Sequence, residues 1–241
     1  MGLLYCKILK QVEINFILVV STKKRSYIMN RQINHKTMRA VIGAIACLLA
    51  PTVYFLSDTK EELTSISISY WTNSGDIFVG SLIAVGFFLF AYNGTGNGRD
   101  WEFYLSKASC IFAVCVALFP TKGFNDKDHI PPTWTTSISS AIGLEPGKIH
   151  YGAAILLFSC LIAMMWFFSN RAMKKKKPGR ALTYRIISVL MIVGIIVLFL
   201  IGKFFQLNNT VLLVEIWGLT LFGIGWFVAG SYKTEPDPGR Q

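Results

Sequence analysis

Three ionisable side chains, Asp76, His150 and Glu215, could do chemistry by their type and placement. An imidazole beside a carboxylate can pass a proton as general base and then acid, while a second carboxylate orients it or binds an ion. Each also has a plainer use. Asp76 follows Asn73-Ser74-Gly75 and fits the acidic first turn of a helix, where the macrodipole favours it. His150 fits a capping or interfacial residue at a helix start, and Lys203 can reach the headgroups without a partner. Glu215 is the hardest to dismiss. It is the one acid in an apolar stretch, flanked by Leu212, Leu213, Val214, Ile216 and Trp217. A bare carboxylate there costs several kcal/mol, so it must be neutral, paired or facing water. Lys203, Asp76 and His150 are its candidate neighbours.

A metal-dependent hydrolase would draw ligands from His129, His150, Asp126, Asp128 or Asp76 to hold an ion that activates water. No H-x-x-x-H or H-E-x-x-H spacing fixes two of these on one helix face. A G-x-S-x-G elbow, a phosphate-cradling loop and a dinucleotide fingerprint are all missing from the sequence, so no cofactor is expected. Asn93-Gly94-Thr95-Gly96-Asn97-Gly98 is rich in glycine but joins two apolar stretches, and turn chemistry accounts for it. N-x-T sequons at Asn93 and Asn208 are two-residue matches with little specificity. Cys6, Cys47, Cys110, Cys115 and Cys160 form no C-x-x-C pair and read as small packing residues.

The elements that must position these side chains are membrane spans. Charged residues are 15% of the chain against about 25% in soluble domains, and mean hydropathy is +0.48. Uniformly apolar stretches at Met38–Leu56, Ile77–Tyr92, Phe103–Phe119, Ile149–Phe168, Ile186–Phe205 and Val211–Tyr232 predict six helices, since barrel strands would alternate. The fold class is therefore an all-α integral membrane bundle, with residues 38–232 as its single domain. Glycines 218, 223, 225 and 230 in the last span, with Gly80, Gly86 and Gly194, let helices approach closely. Packing within one chain is the favoured use, and a homo-oligomer the other. The 121–148 connection is the longest, and its polar stretch Thr133–Ile142 could form a short interfacial helix around Trp134. Glu102 and Lys107, five residues apart on the third span, are expected to pair.

Charge sets the expected orientation. Arg171 to Arg185 holds seven Lys and Arg, including Lys174–Lys177, between two spans. With both termini cytoplasmic, nineteen of the 24 Lys and Arg lie inside, and Lys60, Lys122, Lys127, Lys148 and Lys203 outside. Asp76, His150, Lys203 and Glu215 then all lie at the outer leaflet. The 169–185 loop would meet anionic lipid headgroups through Lys174, Lys175, Lys176, Lys177 and Arg180. A net charge of +11 raises nucleic acid as a partner, but no binding motif surrounds the basic blocks, so none is expected. Residues 1–37 form a basic leader. Ile14–Val20 is too short to cross hydrocarbon about 30 Å thick, and no A-x-A-like cleavage site follows it. Met29 or Met38 would open a conventional leader, so residues 1–28 are a candidate misassigned start. The polar tail 233–241 carries two prolines and is expected to be disordered.

Three segments together resemble a widespread group of uncharacterised bacterial polytopic membrane proteins. They are Ser67-Ile68-Ser69-Tyr70 with Gly75-Asp76-Ile77-Phe78-Val79-Gly80; Val116-Ala117-Leu118-Phe119-Pro120-Thr121, followed by His150; and Glu215-Ile216-Trp217-Gly218-Leu219 through Phe222-Gly223-Ile224-Gly225-Trp226. Such families often carry Arg before the Asp76 position, where this chain has Gly75. The resemblance implies a bacterial inner-membrane location and groups Asp76, His150 and Glu215 without assigning them a task. The favoured function is non-enzymatic: a channel, sensor or accessory subunit. Alternatives are a lipid hydrolase or transferase using the three residues at the outer leaflet, and a proton-coupled transporter using Glu215.

Overall fold

The computed structural model describes residues 35–60, 63–94, 100–123 and 134–231. The leader before residue 35, the 233–241 tail, and Asp126, Asp128 and His129 lie outside the described residues. Within them there are only helices: α1 His35–Leu56, a 3-10 turn Ser67–Trp71, α2 Gly75–Ala91, α3 Trp101–Leu118, α4 Trp134–Ile142, α5 Pro146–Lys174, α6 Pro178–Phe205 and α7 Thr210–Ser231. Five of these, α1, α3, α5, α6 and α7, are long and apolar enough to cross a membrane. The 17 residues of α2 rise about 26 Å at 1.5 Å each, just short of the hydrocarbon thickness. The polar stretch around Trp134 is the short helix α4, packed on α5.

The six apolar helices pack in a ring that follows chain order, α1, α2, α3, α5, α6, α7, and α7 returns to α1. Ile42, Leu89, Met164, Met165, Phe168, Met191, Phe222 and Trp226 fill its centre, each at most 1% exposed. The outside is as apolar as the inside. On α6, Ile192, Val193, Ile196, Val197, Phe199 and Leu200 are all exposed, a surface stable against lipid and not against water. The chain is a multi-pass helical membrane protein.

Two glycines close this ring where α7 meets α1, whereas Gly80 has no neighbour within 4 Å of a Cβ position among the described residues. A Cβ on Gly223 would meet the Gly43 carbonyl at 2.8 Å, and one on Gly43 would meet the Gly223 carbonyl at 2.9 Å. The backbones of α1 and α7 therefore touch, and Arg39 Nη1 adds a 3.1 Å bond to the Ala229 carbonyl on the same seam.

At the 169–185 loop the structure corrects the sequence reading. Helix α5 continues to Lys174 and α6 begins at Pro178, so only Lys175–Lys177 connect them. Hydropathy ends where the lysines start, but Lys and Arg are good helix formers and extend both helices past the apolar run. The turn is a Schellman motif: Lys176 N donates to the Met173 carbonyl (2.9 Å) and Lys177 N to that of Ala172 (3.0 Å). Its left-handed position, φ 54°, holds Lys176 where glycine is usual. Pro178 then starts α6 at a position that needs no N–H donor.

Candidate functional site

The ring has two ends of different chemistry. One gathers the 3-10 turn, the starts of α2, α5 and α7, and the end of α3; it is rich in serine and threonine. Ser65, Ser67, Ser69 and Ser74 are buried there, and their hydroxyls replace missing backbone partners. Ser69 Oγ donates to the Ile66 carbonyl (2.6 Å), Ile68 N donates to Ser65 Oγ (3.1 Å), and Thr72 Oγ1 donates to the Ser69 carbonyl (3.0 Å). Gly75 lets α2 start against this turn: a Cβ there would lie 2.7 Å from the Tyr70 carbonyl.

Glu215 locks the turn to α7. Its Oε2 accepts from Ile66 N at 2.5 Å, and Ser67 Oγ lies 3.4 Å from Oε1. Leu212 N on α7 donates back to the Thr64 carbonyl at 3.0 Å. The carboxylate therefore finds its partners in the 3-10 segment and not in Lys203, Asp76 or His150. Lys203 is exposed and forms no ion pair among the described residues.

His150 is 2% exposed, and its Nδ1 donates to the Phe119 carbonyl at 2.8 Å. It ties the first turn of α5 to the carbonyl end of α3 and stands edge-on to Tyr151. Next to it, Thr121 bonds Tyr151 Oη (2.8 Å) and its carbonyl accepts from Trp71 Nε1 (3.0 Å), joining α3, α5 and the 3-10 turn.

Asp76 differs from both. It is exposed, makes no side-chain hydrogen bond or ion pair among the described residues, and lines a cleft of about 640 Å³. Thr72, Asn73 and Tyr70 give this cleft a polar rim, Val79 and Leu118 an apolar wall, and Trp134 of α4 flanks it. Neither His150 nor Glu215 lines it. The fold brings all three residues to one end but engages two of them separately with backbone groups. Among the described residues no group of three His, Cys, Asp or Glu could hold a metal ion.

The other end carries a site the sequence reading missed. Arg171 Nη1 lies 2.6 Å from Glu102 Oε2 and 2.7 Å from Tyr92 Oη, and Tyr92 Oη donates to the same carboxylate at 2.8 Å. Glu102 is 4% exposed. Tyr92, Phe168 and Trp226 back the triad edge-to-face, and the guanidinium stacks 4.8 Å over Phe168. The expected Glu102–Lys107 pair is not formed. Five residues turn a helix by about 500°, leaving the two side chains about 140° apart. Lys107 instead caps α2, donating to the carbonyls of Phe90 and Tyr92 and to Asn93 Oδ1.

No known protein family, curated protein or solved structure matches the chain.

Proposed function

We propose that the chain is a multi-pass protein of the bacterial inner membrane, with its basic end in the cytoplasm, that binds and does not catalyse. Its ligand is an amphiphile with a cationic head, seated in the cleft beside Asp76, and its role is that of a sensor or accessory subunit. One observation carries this reading. Of the candidates Asp76, His150 and Glu215, Asp76 alone makes no side-chain hydrogen bond or ion pair among the described residues, and it lies between a polar rim and an apolar wall. With no cationic or proton-relay partner among the described residues, this carboxylate is left to recognise positive charge. The adjoining apolar wall suits the hydrocarbon that follows an amine head. The excess of Lys and Arg at the opposite end supports the orientation.

Binding of a long-chain alkylamine to protein in phosphatidylcholine nanodiscs tests the proposal. Asp76→Asn should weaken binding about tenfold, the worth of one charge-assisted hydrogen bond. His150→Gln and Glu215→Gln should lower stability more than affinity. Equal binding by Asp76→Asn, or release of a lipid cleavage product that depends on Asp76, would refute it.

A further inference from the structure

The basic end holds a second cleft, independent of the one beside Asp76, and the geometry points to a binding site for a phosphate oxyanion. Its volume is about 450 Å³, within the roughly 300–1,000 Å³ of small-ligand sites. One wall is the last two turns of α5, where Asn170, Arg171, Lys174 and Lys175 share a face by their spacing. The other is the first turn of α3, whose helix end carries positive partial charge.

The charges do not cancel within this cleft. Both of its carboxylates are already engaged: Glu102 by Arg171 and Tyr92, and Asp100 by Phe103 N at 2.9 Å. Lys174 and Lys175 are exposed and form no ion pair among the described residues. Arg171 spends only Nη1 on the triad, so its other donors have no partner among the described residues. Asn170 Oδ1 accepts from Arg185 at 3.2 Å, which turns the amide's carbonyl away and leaves its NH₂ to donate. Two ammonium groups, a guanidinium edge pre-aligned by Glu102, and an amide donor form a set that matches the several acceptors of a phosphate. Trp101, 69% exposed on the rim, provides the amphipathic side chain usual at headgroup depth.

Such a phosphate could belong to an anionic lipid or be free in solution, and one experiment separates the two. Thermal stability of the detergent-purified protein is measured against inorganic phosphate, phosphatidylglycerol and phosphatidylcholine, with binding midpoints for each. Phosphatidylglycerol acting far below inorganic phosphate assigns a lipid source, and comparable midpoints assign a soluble one; either supports the site. The Lys174→Gln/Lys175→Gln pair should raise the effective midpoint about tenfold or more, at the usual value of a charged hydrogen bond. Lys176→Gln, outside the cleft, should leave it unchanged. If Lys176→Gln weakens binding as much as the pair does, attraction is diffuse and the site does not exist. The same holds if phosphatidylcholine stabilises as well as phosphatidylglycerol.

Discussion

Each end of the bundle withdraws one glutamate from water, and the two are satisfied by opposite means. Glu102 meets a full positive charge and a phenol, both on other elements, within 2.8 Å. Glu215 meets no cation; a backbone amide at 2.5 Å and a serine hydroxyl receive it. An ion pair needs one long-range partner in register, and its loss strands a charge. A carboxylate held by backbone donors needs a loop bent to present them, which is what the buried serines of the 65–74 segment provide. The basic end therefore depends on side-chain pairing across helices, and the serine-rich end on the shape of one short turn.

Mutations that separate these modes differ in size. Arg171→Ala should cost about 3–5 kcal/mol, because Glu102 keeps its burial and loses its cation. Adding Glu102→Leu to Arg171→Met should restore most of that stability in a detergent unfolding series. A double variant as unstable as Arg171→Ala would show that packing, not charge, holds this end. His150→Ala should follow at about 2–4 kcal/mol, removing a fully buried ring and orphaning the Phe119 carbonyl. Glu215→Ala should cost about 1–3 kcal/mol, with Glu215→Gln near the low end because its amide oxygen still accepts from Ile66 N. Hydrogen exchange should localise the Glu215→Ala loss to the 63–74 segment and leave α5 protected. The smallest change has the opposite sign: Lys176→Gly should stabilise by about 1 kcal/mol by relieving the left-handed residue.

Six apolar runs announced six helices, with close ends everywhere except at the α5–α6 connection, because hydropathy and length decide spans and little else competes inside a bilayer. Hydropathy could not show that α5 and α6 continue through their lysines, since helix ends follow backbone bonding and not side-chain polarity. Glu102 and Arg171 are 69 residues apart, so no local pattern joins them. Their shared depth at one end of the bundle was the available signal, and the Lys107 neighbour obscured it. Glu215 was legible as an anomaly. Its partner was not, because a backbone N–H carries no residue label.

The seam between Gly43 and Gly223 joins the first and last described helices, whereas every other junction of the ring joins helices consecutive among the six. During synthesis this junction, like that of α6 with α7, must wait for the last described helix. Until α7 has entered the bilayer, the glycine face of α1 has lipid where its final neighbour belongs, and the ring is an open arc. A bulky residue at either glycine would leave insertion and helix formation intact and arrest the protein at that stage, where membrane quality control would meet it.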